Sequence, residues 1–144
     1  MESKKIVLKV FITLGVIATI ALIATSPQIA SAIRERKEVV KAFTEYSNAL
    51  TSQRLQDAYG YCDPAFREAV TLEQFISLQT TLQNRYGPLK SVKQGSLEVT
   101  VREKEPTHFA IVRSDFSYEK RTVQFVYELR LESGAWKIWG YKEL

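Results

Sequence analysis

Gly87-Pro88 divides the chain into two hydrophobic patterns, and few folds accommodate both. Before this pair the apolar residues recur every three to four positions, the period of a helix. After it they recur every two, the period of a strand with one buried face. Helices followed by strands point to an α+β domain in which the helices pack on an antiparallel sheet.

The helical half reads as four pieces. Val39, Phe43, Tyr46 and Leu50 make one stripe, opposite a solvated face of Glu35, Arg36, Glu38, Lys41 and Glu45. Leu55, Ala58 and Tyr59 mark a short second helix, which Ser52 can cap and Gly60 can end in a left-handed turn. Cys62-Asp63-Pro64 starts a third piece, with proline suited to the first helical position and Phe66 and Val70 facing inward. Thr71 and Gln74 fit a capping box, which opens a helix with the stripe Leu72, Phe75, Leu78, Leu82 and Tyr86. Gln79 is the polar residue inside that stripe, and Gly87-Pro88 stops the helix.

Beyond Pro88, Leu97, Val99 and Val101 alternate with Glu98, Thr100 and Arg102. Phe109 to Ser114 and Val123 to Leu131 alternate likewise, although the alternation lapses in "RSDFSYEK" and leaves the facing of Asp115 open. Ser133-Gly134 signals a hairpin into a last strand from about Ala135 to Tyr141. On simple alternation Trp136 and Ile138 cover the helices. Lys137, Trp139 and Tyr141 then share the outer face with Gln124, Glu128 and Arg130. Two large rings among charges have the composition of an interface, so a homodimer or another protein partner is expected through Lys137, Trp139 and Tyr141.

Residues 1–32 are different in kind. Val10 to Ala24 carries no charge, and extending back through Lys9 to Ile6 approaches the ~20 residues of a membrane span. Pro27 breaks the run, and Ala30-Ser31-Ala32 is a pattern a signal peptidase reads. Arg34, Arg36 and Lys37 oppose export of the segment beyond them, and Lys4, Lys5 and Lys9 compete on the other side. Two readings stay open: one N-terminal hydrophobic helix as a membrane anchor through residues 6–26, or a signal peptide cleaved near Ala32. Both place residues 33–144, the folded domain, outside the cytoplasm.

Composition narrows the function classes. The net charge is +4, and residues 1–32, with three lysines against one glutamate, supply half of it. No basic cluster with interleaved aromatics remains, so nucleic acid is not an expected partner. A single cysteine and a single histidine leave no zinc-ligand pattern, and no metal is expected. Glycine-rich phosphate loops and paired-carboxylate motifs are missing, so no cofactor is expected either. His108 at a strand entry reads as a surface or edge residue. Cys62 beside Asp63 reads as a buried thiol, because a neighbouring carboxylate raises its pKa.

The order of Asp57-Ala58-Tyr59, Pro64-Ala65-Phe66-Arg67, Thr71-x-x-Gln74-Phe75 and Gly134-x-Trp136-x-Ile138 resembles the cone-shaped α+β superfamily. That superfamily includes the nuclear transport factor, ketosteroid isomerase and polyketide cyclases. More narrowly, the chain looks like bacterial membrane-tethered domains of unknown function. The resemblance implies a cystatin-like cone, a strongly curved antiparallel sheet around the helices, often with a pocket at its open end. Asp57, Tyr59, Tyr61 and Arg67 would border that pocket mouth. The isomerases need a buried base and donors aimed at one oxyanion, and the strands offer no matching acid. A non-catalytic module binding a protein partner or a small apolar ligand is therefore expected, with an isomerase- or cyclase-like enzyme as the alternative.

Overall fold

The structure, a computed structural model, describes residues 27–102 and 107–144. The chain divides into two compact units, residues 1–35 and 36–144. The expected N-terminal hydrophobic helix lies outside the described residues. Among the described residues no helix is long and apolar enough to cross a membrane.

Four helices precede four strands. They are α1 (Pro27–Thr51), α2 (Leu55–Gly60), α3 (Pro64–Ala69) and α4 (Leu72–Tyr86), then β1 (Leu89–Arg102), β2 (Thr107–Tyr118), β3 (Thr122–Glu132) and β4 (Ala135–Glu143). The strands form one open antiparallel sheet in the order β1-β2-β3-β4. The protein is thus α+β, with helices packed on a four-stranded sheet.

The stripe expected on α1 is the one buried: Val39, Phe43, Tyr46 and Leu50 are each at most 1% exposed. The start of α2 differs from expectation. The Ser52 amide continues α1 by donating to the Asn48 carbonyl, and Arg54 occupies the N-cap with no side-chain cap bond. Gln53 takes the left-handed conformation (φ 60°), and Gly60 stays helical. At α3 the Asp63 carboxylate accepts from the Ala65 amide at 2.9 Å, behind Pro64 at the first turn.

The capping box of α4 is complete. The Thr71 amide donates to Gln74 Oε1 at 2.8 Å, and the Gln74 amide donates to Thr71 Oγ1 at 3.2 Å. The buried line on α4 then runs Phe75, Gln79, Tyr86, with Leu82 half-buried, rather than through Leu78, which is 49% exposed. Gln79 replaces Leu78 because it has a partner inside: its Nε2 donates to the Tyr141 hydroxyl at 3.3 Å. Gly87 ends α4 at φ 83°, where a β-carbon would stand 2.8 Å from Glu119 Cβ. Any other residue there is strained twice over.

In the sheet, β2 keeps its alternation through "RSDFSYEK". Ser114, Phe116 and Tyr118 face the helices, while Asp115 lies on the outer face and accepts from Gln124 Nε2 at 3.0 Å. Ser133 and Gly134 both adopt positive φ (49° and 80°), the conformation of a two-residue hairpin whose twist matches the strands. Both sheet edges carry a local cover. The Ile138 amide donates to the Tyr61 carbonyl and the Asp63 amide to the Ile138 carbonyl, so residues 61–63 begin a short parallel pairing with β4. At the other edge Arg36 Nη1 donates to the Leu97 carbonyl at 3.2 Å.

Phe75 is fully buried between Tyr59 (5.6 Å between ring centroids) and Phe66 (6.3 Å). Phe75→Ala removes a ring that the neighbours cannot replace and is expected to cost about 3–5 kcal/mol. Thermal unfolding should then fall by about 10 °C or more; an unchanged transition would mean that this ring is not in the core.

Candidate functional site

The four residues expected at a pocket mouth do not converge on one cavity. Asp57 is exposed and paired with Arg54 at 2.9 Å, within one turn of α2. The Tyr59 hydroxyl donates to the Val70 carbonyl at 2.8 Å and ties α2 to the end of α3. Tyr61 is half-buried and lines a shallow groove of about 250 Å³ with Trp136 and Lys137. Arg67 is exposed on α3.

The space between helices and sheet is occupied by the protein's own rings. Tyr127 stacks on Phe116 (5.6 Å, 19°) and on Tyr141 (5.1 Å, 27°). Phe43 and Tyr46 meet Tyr127 edge-on at 5.3 and 5.5 Å. Burial, reinforced by the neighbouring tyrosines, raises the pKa of Tyr46 and Tyr127 well above that of a free phenol. Burial also pushes Tyr141 and Tyr118 up to about 12.

Tyr141 is therefore not beside Trp139 on the outer face, as simple alternation has it. The register of β3 and β4 slips between Glu128 and Leu129: Glu128 faces Gly140, Leu129 faces Ile138, and Trp139 is the extra residue. Such a bulge reverses the facing of everything beyond it. Trp139 stays outside and Tyr141 turns in. A glycine inside a strand pattern is the sequence signal for a bulge, and Gly140 is that signal.

With the bulge in place, the outer face has three rows across β2, β3 and β4. The first holds Arg113, Val126 and Lys142; the second Ile111, Glu128 and Gly140; the third Phe109, Arg130 and Lys137, with Trp139 between the last two. The Arg130 guanidinium lies 3.6 Å from the Trp139 ring centroid and 4.7 Å from that of Phe109. Glu128 pairs with Arg130 at 3.5 Å, longer than a hydrogen bond, and both side chains are largely covered. Arg130 thus explains why Phe109, an apolar ring on the outer face, is buried. Beside this clamp is a groove of about 440 Å³ walled by Ile111, Val126, Glu128 and Trp139. It is open where Gly140 has no side chain; a β-carbon there would meet nothing within 4 Å.

Cys62 is fully buried, and its thiol is pushed up to about 12. Burial is the main cause. Arg67 and Lys137 pull the other way, and the Asp63 carboxylate expected to dominate adds the least. His108 is half-buried at the start of β2, opposite Val101. Among the described residues no three His, Cys, Asp or Glu side chains gather as a metal site.

No protein-family model matches this chain, and no curated protein matches it.

The raised pKa values give a pH dependence of definite sign. A free thiol titrates near 8.5 and a free phenol near 10. In the folded protein Cys62, Tyr118 and Tyr141 titrate at about 12. Unfolding therefore releases protons at high pH, and stability is complete below about pH 8.5 and falls from there to about pH 12. Alkaline titration followed by circular dichroism should show this loss. At pH 8 a thiol reagent should modify Cys62 only as fast as the fold opens.

Proposed function

We propose that this chain is a non-catalytic, membrane-tethered module of the cone-shaped α+β kind, with its sheet bent around the helices and residues 33–144 outside the cytoplasm. It binds a protein partner or a small apolar ligand. The observation that carries this reading is the distribution of space. The interior is filled by Phe43, Tyr46, Phe116, Tyr127 and Tyr141, whereas the open groove lies on the outer face beside Trp139. An enzyme of the isomerase kind needs a base inside. Among the described residues Asp63 is the buried carboxylate, and it caps α3. The tyrosine hydroxyls and Gln79 supply donors but no base.

The tether is tested by fusing to Leu144 a reporter that is active only after export. Activity in the membrane fraction is expected if residues 6–26 anchor the chain, and activity in the exported soluble fraction if cleavage occurs near Ala32. An inactive fusion in the cytosol rules both out.

The binding face is tested by Trp139→Ala. The ring lies outside the core, so the variant should stay folded, losing about 0.5–1 kcal/mol with its stacking on Arg130. Sedimentation of residues 33–144 over a concentration series identifies the kind of occupant. Self-association weakened about thirtyfold, ~2 kcal/mol, marks a second copy held by Trp139 as a hot spot. A fragment that is monomeric at every concentration removes the second copy and leaves a different protein or the small ligand.

A further inference from the structure

The charges around the outer groove are not balanced in the way its composition suggests. Its own acid, Glu128, is already neutralised by Arg130, which is fixed between Phe109 and Trp139. The acid two residues along β2 from Arg113 on the same face, Asp115, already accepts from Gln124. The cations of the first row are in the opposite condition. Arg113 and Lys142 are exposed, stand on either side of Val126 in register, and enter no ion pair among the described residues. From that row to the Trp139–Arg130 clamp is four residues of β3, about 13 Å at ~3.3 Å per residue. Between the two ends the groove is walled by Val126, Ile111 and the Arg130-paired Glu128, over the hollow at Gly140. A cationic pair at one end, an apolar channel and an aromatic edge at the other fit one chemistry. The groove's ~440 Å³ lies in the size range of small-molecule sites, roughly 300–1,000 Å³.

We infer that the outer face binds a single anionic amphiphile. Its carboxylate or phosphate head lies between Arg113 and Lys142, and its apolar body runs along Val126 and Ile111, over Gly140, to the edge of Trp139. This rests on the reading of the outer face as the binding face, and it selects the small apolar ligand among the occupants and gives it a charge. Gly140 is the specificity residue: a large side chain there projects into the channel. Its φ lies outside the left-handed region and a β-carbon has open space, so substitution blocks the groove without straining the strand.

The test uses the full chain in nanodiscs of zwitterionic phosphatidylcholine, with laurate below its micelle concentration as the probe. The Gly140 amide and Trp139 indole signals are monitored by NMR. Laurate should shift both saturably, and dodecyltrimethylammonium, with the same tail and opposite charge, should bind at least about tenfold more weakly. Arg113→Gln and Lys142→Gln should each weaken laurate about two- to fivefold, the range of an exposed ion pair. Gly140→Leu should abolish the shifts at Trp139 while the remaining spectrum stays that of the folded protein. Equal binding of the two detergents, or laurate binding untouched by Gly140→Leu, overturns the assignment. So do shifts produced by anionic phosphatidylglycerol nanodiscs but not by laurate, which would make the bilayer surface the partner. If laurate is silent while Gly140→Leu disrupts self-association, the occupant is a second copy; the amphiphile assignment then fails and the reading of the face stands.

Discussion

The stack of Phe116, Tyr127 and Tyr141 across three strands is the contact on which the rest of the structure depends. It gives the sheet a continuous aromatic floor, and α1 closes on it with Phe43 and Tyr46. α4 joins the same cluster through a polar contact, Gln79 on the Tyr141 hydroxyl. Rings dominate here because each removes a large apolar area and still interlocks at defined angles. The same stack takes up the volume that an open cone would offer a ligand.

The bulge at Trp139–Gly140 decides what each side receives. Without the extra residue, Tyr141 would stand outside next to Trp139 and the stack would end at Tyr127. With it, one ring goes to the core, one to the surface, and the glycine between them leaves the hollow. A single local irregularity therefore couples the packing of the interior to the shape of the candidate site.

Much of this was legible in the sequence. The change of period at Gly87-Pro88 gives the fold class, and the α1 stripe and the α4 capping box stand as the residues imply. What was not legible has two physical causes. Alternation carries no register, so Tyr141 is placed on the wrong face unless Gly140 is taken as the mark of a bulge. A polar residue in a helical stripe also looks like an interruption, so the partnership that buries Gln79 and exposes Leu78 depends on a tyrosine 62 residues away. Arg130 is missed for a related reason: its role comes from Phe109 and Trp139 on neighbouring strands. The expected pocket-mouth set is placed differently. Asp57 and Tyr59 have the right chemistry for a site, but each is held by a partner in or next to its own helix.

The parallel pairing of residues 61–63 with Ile138 has a consequence for how the protein behaves in a crowded compartment. An open sheet presents two rows of backbone donors and acceptors on which another chain can build. On the β4 side the Ile138 amide and carbonyl are already taken by Tyr61 and Asp63, and on the β1 side Arg36 places a cation on the Leu97 carbonyl. The segment leading into α3 thus acts as a terminator strand. It occupies backbone groups on that edge, beside the aromatic residues of β3 and β4, that another strand would otherwise pair with.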